Sequence, residues 1–169
     1  MAKQRVEIST KIDSNEMLEL WHIAKRMLFE TPPKPSEEQL SEFSEAVYRD
    51  LKDRKLYFAR VNGRLAGMMG LERNRHRQTL HIRQIAVAEK FDSRKGGRGG
   101  IGTVLTAAAM NVAEKENYRY FVYGSRTNKK LDLWEGKGNW ELFLRKAKQR
   151  AILFAERIKH KSLLRMQRK

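Results

Sequence analysis

The residues with the plainest chemical potential lie between 94 and 102. Gly96, Gly97, Gly99, Gly100 and Gly102 fall within seven residues, beside Arg94, Lys95 and Arg98. The glycines then stop, and "IGTVLTAAAMNVAEKENY" follows with apolar residues at helical spacing. A glycine turn running straight into a helix gathers backbone N–H groups that have no intrahelical partner, and the helix dipole favours negative charge there. The chemistry that suits such a turn is the binding of phosphate or diphosphate. Bare backbone allows close approach, while Arg98 and Thr103 add a cation and a hydroxyl. The bland alternative is a flexible surface loop, and the helix that begins at once argues against it. A Walker A loop is excluded because no Lys-Ser/Thr pair follows the last glycine; "GIGTVL" also fails G-x-G-x-x-G at its last position.

The elements that must position this turn can be read on either side of it. "RVEISTKI" alternates from Val6 to Ile12 and predicts a strand. Asp13 or Ser14 caps a helix whose buried face carries Met17, Leu18, Leu20, Trp21, Ala24, Met27 and Leu28. "TPPKP" stops it. Ser36 and Gln39 fit a capping box for a second helix that buries Leu40, Phe43, Ala46, Val47 and Leu51. Asn62-Gly63 between two apolar runs signals a type I′ hairpin, and "TLHIRQIAVA" adds a third strand to that meander. The glycine turn and a helix over about 101–116 come next, then a short strand in "YRYFVYGS" and a short helix in "NKKLDLWEGKGN". Residues 141–169 read as mostly helical. This order gives an α+β fold: a mixed, largely antiparallel twisted sheet flanked by helices, with a basic C-terminal helix.

The stretch "HIRQIAV", the glycine turn and "GGIGTVLTAAAMNVAEKENY" together resemble the acetyl-CoA signature of the GNAT (GCN5-related N-acetyltransferase) superfamily. That signature is a strand, then R/Q-x-x-G-x-G/A, then a helix. The element order also resembles the family over roughly four fifths of the chain, so the expected organisation is a GNAT-like domain over 1–140 and a basic amphipathic helical extension over 141–169. The resemblance implies acetyl-CoA as cofactor. It implies a diphosphate cradle of backbone N–H groups at Arg98, Gly99, Gly100, Gly102 and Thr103, with Arg94 and Ile101 beside it. It also implies that the strand carrying Ile85, Ala86 and Val87 pairs with the pantetheine arm. Asn128 and Trp134 sit in the segment that resembles the family's late helix. Gly97 stands where the family usually has Arg or Gln, with Arg98 one position later.

Transfer of an acyl group to an amine needs a proton acceptor, an oxyanion donor and a group to protonate the leaving thiolate. The family often uses a Glu on the meander and a Tyr on the late helix. Here the strand before the turn offers His81 instead, and Glu72 ends its neighbour. His81 can serve as base or stand as an exposed strand residue; Glu72 can serve as base or be an ion-paired surface carboxylate. Trp134 occupies the frequent tyrosine position and cannot protonate a thiolate, which leaves packing as its role. Tyr123 is the candidate acid, with Ser125 and Asp132 as further polar candidates.

Composition narrows the partner. The 169 residues carry 36 Lys+Arg against 20 Asp+Glu, a net charge of +16. Self-repulsion of that size points to a polyanion, nucleic acid above all, although a solvated basic surface is the plain alternative. Residues 145–169 hold ten of the basic side chains, with Arg145, Lys148, Arg157, Lys161 and Arg165 on the outer side of an amphipathic helix. Such a helix can track phosphates or lie on an anionic membrane. Arg73, Arg75 and Arg77 form a second basic group. The expected activity is therefore acetyl-CoA-dependent N-acylation of nucleic acid or of a protein associated with it. The alternatives are a DNA base modifier similar in general character to the basic, GNAT-fold Mom-type proteins of bacteriophages, and a non-catalytic nucleic-acid-binding module. Cysteine is absent, which removes disulfides, thiolate nucleophiles and Cys-type zinc sites, and no metal is expected. No secretory signal or apolar span is visible, so a cytoplasmic location is expected, with nucleoid association as its narrower form.

Overall fold

The computed structural model describes residues 6–26, 28–92, 100–123 and 129–132, the last four as backbone. Six strands form one sheet in sequence order: β1 Val6–Ser9, β2 Leu56–Val61, β3 Arg64–Asn74, β4 Thr79–Val87, β5 Tyr120–Tyr123 and β6 Lys129–Asp132. All neighbours run antiparallel except β4 and β5, which are parallel. Three helices lie on the sheet: α1 Met17–Lys25, α2 Glu37–Lys52 and α3 Ile101–Lys115. The parallel pair follows from the connection between its strands, because α3 carries the chain back to the end at which β4 began.

Local chemistry fixes the joints. Asn62 and Gly63 take φ of 54° and 75°, the left-handed pair that a two-residue type I′ turn requires. Ser36 Oγ accepts from Gln39 N–H at 3.1 Å, and Gln39 Oε1 accepts from Ser36 N–H at 3.0 Å, so the capping box closes the start of α2. At the end of α3, Asn117 turns left-handed and Tyr118 N–H reaches back to Ala113 C=O at 2.9 Å, satisfying a terminal carbonyl.

Alternation along β3 sorts the core. Gly67, Met69, Leu71 and Arg73 share the face that α3 covers, while Ala66, Met68, Gly70 and Glu72 share the other. Gly67 is required by a close approach: a Cβ there would sit 2.9 Å from the Ala86 carbonyl and 3.0 Å from Ile101 Cγ2. Leu65, Met69, Leu71, Leu80, Ile101, Leu105 and Phe121 are fully buried, and together they hold α3 against the sheet.

Three expectations are corrected. The first strand stops at Ser9 rather than Ile12, because only Val6 to Ser9 find partners on β2. The helix α1 ends at Lys25, and Leu18 and Leu28 are exposed: the buried side of α1 is Met17, Leu20, Trp21 and Ile23, and Leu28 lies past the helix end. Residues 129–132 form a strand, not the start of a helix. The outer edge of β5 would otherwise leave a row of unpaired N–H and C=O groups, and pairing of Leu131 with Phe121 and Lys130 with Val122 fills it, which outweighs local helix propensity.

Arg73 ties the layers together at the β3–β4 end. Its guanidinium donates twice to Glu116 at 2.9 Å, and also to Tyr57 Oη and to the Arg54 carbonyl. The Arg73 guanidinium holds the Glu116 carboxyl below its ordinary value of 4.5. A depressed carboxyl stabilises the fold above its unfolded value and loses that contribution as pH falls through the folded one. Arg73→Met should therefore lower unfolding free energy by about 2 kcal/mol at pH 7, with the difference from wild type narrowing as pH falls below the ordinary carboxyl value of 4.5; urea melts at pH 7 and across the acid range measure it.

Candidate active site

The sheet opens along β4. Its parallel ladder with β5 has three rungs, Thr79 with Tyr120, Leu80 with Phe121 and His81 with Val122. Strand β4 continues to Val87 with no described partner on that side. A register shift sits at the opening: Leu71 faces Ile82 and Gly70 faces Gln84, so Arg83 is the extra residue of a β-bulge that bends the strand and increases its twist. The Gln84 side chain lies over Gly70, where a Cβ would sit 3.0 Å from Gln84 Cγ.

Beyond the bulge the backbone groups can be assigned to edges. Ala88 N–H donates to the Ala66 carbonyl at 2.9 Å, and the Ala86 carbonyl faces Gly67. Ala86 and Ala88 are thus turned to β3, and Ile85 and Val87 direct their N–H and C=O groups to the open edge. Ala86, expected to present its backbone to a ligand with its neighbours, is turned the other way. The Val87 carbonyl accepts from Arg26 Nη1 at 3.0 Å.

The start of α3 lies at the same end. Gly100 is its N-cap, with φ 97° and ψ −19°, and its carbonyl accepts the first intrahelical bond from Val104 N–H at 3.0 Å. The N–H groups of Ile101, Gly102 and Thr103 precede that bond. A Cβ on Gly102 would lie 4.0 Å from Ile85 and Val87 side-chain carbons, so the helix N-terminus sits over the end of the open edge. Ile101 is buried and can contribute only its backbone. Gly100, Ile101, Gly102, Thr103, Ile85 and Val87 are therefore brought together. Arg94, Arg98, Gly99, Asn128 and Trp134 lie outside the described residues.

The candidate acids and bases fall on two faces. His81 and Glu72 are register partners on the face opposite α3, with Nδ1 3.9 Å from Oε2; Arg83 Nε is 3.7 Å from the same oxygen. His81 stands on the last rung before the opening, one-third exposed. Tyr123 stacks on Phe121, its ring centroid 5.7 Å away, which places it on the α3 face. Tyr123 and His81 thus approach the opening from opposite sides. Asp132 pairs with Tyr120 at the far end of the β5–β6 ladder. Ser125 lies outside the described residues.

Sequence reasoning missed a cleft of about 860 Å³ on the face opposite α3, lined by Leu18 and His22 of α1, Arg26 just past it, Pro32, and Ala88 to Lys90 after β4. Glu19 and Lys90 pair across it at 3.6 Å. Its α1 wall is written at helical spacing, but that spacing does not say which face of a helix meets a cavity. Of the basic candidates, Arg73 is taken up by Glu116 and Tyr57, and Arg75 bonds to Glu116 and stacks on Tyr118. Arg77 is exposed. Arg145, Lys148, Arg157, Lys161 and Arg165 lie outside the described residues. Among the described residues, no group of three or more His, Asp or Glu could hold a metal, and no helix is long and apolar enough to cross a membrane.

A strand with an open edge and a glycine-capped helix over its end is the arrangement that the sequence resemblance implied. The family model for the acetyltransferase (GNAT) family matches residues 17–131. The chain belongs to the GNAT acetyltransferase family. The acyl donor of that family is acetyl-CoA. Solved structures share the fold. An N-acetyltransferase from Staphylococcus aureus Mu50 superposes with a TM-score of 0.54 at 15% identity, covering 82% of this chain and 81% of that one. A transcriptional regulator from Bacillus halodurans C-125 gives 0.56 at 13% identity, covering 74% and 85%. A GCN5-related N-acetyltransferase from Kribbella flavida gives 0.52 at 10% identity over 74% of this chain, which spans only 31% of that protein. No match was found among curated protein sequences.

The glycines of the GNAT core should respond differently to alanine. At Gly100 nothing lies within 4 Å of a new Cβ, so Gly100→Ala should cost only the left-handed conformation, about 1 kcal/mol. Gly67→Ala meets the Ala86 carbonyl and should cost about 2–3 kcal/mol. Chemical denaturation of both variants gives the order.

Proposed function

We propose that this chain is an acetyl-CoA-dependent N-acyltransferase whose acceptor is a nucleic acid or a protein associated with one. The observation that carries the first half is the left-handed Gly100 cap, which sets the leading N–H groups of α3 over the end of an open strand edge. A diphosphate suits the helix N-terminus and an amide-bearing arm suits a strand edge that turns N–H and C=O groups outward. The residues present fit that cofactor: Gly100, Ile101, Gly102 and Thr103 would hold the diphosphate through their backbone, and Ile85 and Val87 would hold the arm. When bound, the cofactor supplies a thioester carbon open to attack by an amine.

The remaining work belongs to side chains at the opening. In this reading His81, with Glu72 and Arg83 beside it, would take a proton from an amine arriving on the face opposite α3. Tyr123, on the α3 face, would return a proton to the thiolate. Support for the acceptor comes from the net charge of +16, which draws a polyanion toward the protein at low ionic strength.

Two measurements test this reading. Gly102 is the second helical residue of α3, where a carboxylate complements the dipole and where an added Cβ would make only ordinary contact, 4.0 Å from Ile85 and Val87 side-chain carbons. Gly102→Glu should therefore leave the thermal midpoint within a few degrees of wild type, yet abolish acetyl-CoA binding by calorimetry, because the carboxylate fills the anion site. Unchanged binding in that variant would remove the helix N-terminus from the cofactor site. For the acceptor, the protein incubated with labelled acetyl-CoA should transfer label to nucleic acid or to a nucleic-acid-binding protein, with the rate falling steeply between low and high salt. Transfer only to small amines, indifferent to salt, would overturn that half.

A further inference from the structure

Arg26 is the first residue past α1, and it is charged and largely covered, with its side chain 12% exposed. Its Nη1 donates to the Val87 carbonyl at 3.0 Å, and its Nη2 lies 3.8 Å from Asp92 Oδ2, itself 9% exposed. Charges held this far from water persist where partners compensate their desolvation. The position of these partners is what gives the arrangement meaning. Val87 is the last residue of β4 and turns its backbone to the open edge. Asp92 ends a short 3₁₀ turn closed by Phe91 N–H to Ala88 C=O and Asp92 N–H to Glu89 C=O. The glycine segment follows directly. One guanidinium thus holds the last carbonyl of the open edge and the point from which the glycine segment departs. The same side chain lines the cleft on the α1 side.

We propose that Arg26 is a positioning residue for the cofactor: by occupying the Val87 carbonyl and anchoring Asp92, it fixes how the open edge of β4 receives the pantetheine arm. This rests on the acyl-CoA reading above. Each edge residue offers one donor and one acceptor. With the Val87 acceptor taken, Ile85 presents both its groups to an arm, and Val87 presents only its N–H. The arm is then offered a single register on the edge, and α1 holds that register in place. Arg26 touches neither the reacting atoms nor the diphosphate site, so its effect is confined to ligands that carry an arm.

Calorimetry with two ligands tests this: acetyl-CoA, and 3′-phospho-ADP, which keeps the nucleotide and diphosphate but has no arm. Arg26→Gln should weaken acetyl-CoA about tenfold while leaving 3′-phospho-ADP within about twofold, and Arg26→Lys should recover part of the loss. Thermal unfolding of each variant separates this from damage to the fold. Equal affinity in wild type and Arg26→Gln, tighter acetyl-CoA binding in the variant, or the same loss for both ligands would overturn the role. If Arg26→Gln does not fold, Arg26→Lys decides, because one ammonium keeps the charge beside Asp92 but cannot reproduce the fork that also holds the Val87 carbonyl; acetyl-CoA should weaken by about threefold with the nucleotide unaffected, and equal effects overturn the proposal. A wild-type protein that binds neither ligand would sink the acyl-CoA reading itself and this role with it. Binding by wild type without discrimination by the variants would sink the role of Arg26 alone.

Discussion

The ladder between β4 and β5 is three residue pairs long, and the site depends on its ending where it does. A parallel pair that continued to Val87 would consume the N–H and C=O groups of Ile85 and Val87 and leave an arm nothing to pair with. A pair that never formed would leave Phe121 and Leu80, both fully buried, without their neighbours. The bulge at Arg83 reconciles the two demands. Below it, β4 is an ordinary interior strand; above it, β4 is paired on one side only among the described residues. The same bulge restores the alternation that keeps Ala86 turned to β3, where Gly67 lets α3 settle close enough for its N-terminus to overhang the edge.

The charge of the chain is handled in two ways. Arginines that face inward are matched by carboxylates: Arg73 by Glu116, Arg60 by Glu16 and Arg26 by Asp92. Each pair joins elements distant in sequence, and each arginine also donates to a backbone carbonyl or a hydroxyl, which is the fork geometry that lysine cannot copy. Outward-facing cations such as Arg77 carry no such load. The positive balance is therefore a surface property, separable from the fold, and it bears on what the protein meets in solution rather than on how it stands.

Much of the fold was legible because local chemistry and global packing agreed. The Asn62-Gly63 turn, the Ser36 box, the strand over 79–87 and the helix after Gly100 all carry their instruction in residue type, and each formed where it was read. The strand at 129–132 was not legible, since what makes it a strand is the exposed edge of β5, which no local pattern records. Leu18 shows the converse error: helical spacing found a helix, but two neighbouring faces of α1 both carry apolar residues, and only packing tells which one meets the sheet. At the site, the glycine signal found the helix N-terminus. The separation of His81 from Tyr123 by the plane of the sheet, and the reach of Arg26 to Val87, depend on register and on contacts across 61 residues, and neither has a sequence signature.

The glycines themselves show where structure stops explaining sequence. Gly63 and Gly100 answer to left-handed backbone, and Gly67 and Gly70 answer to atoms that would collide with a side chain. Gly102 answers to neither: its backbone is helical, and a Cβ would make ordinary contact with Ile85 and Val87. A glycine inside a helix costs roughly 1 kcal/mol relative to alanine. Among the described residues, nothing in the packing around Gly102 requires a glycine. The anion site proposed above supplies a reason: an anion seated at a helix N-terminus favours bare peptide that it can approach closely.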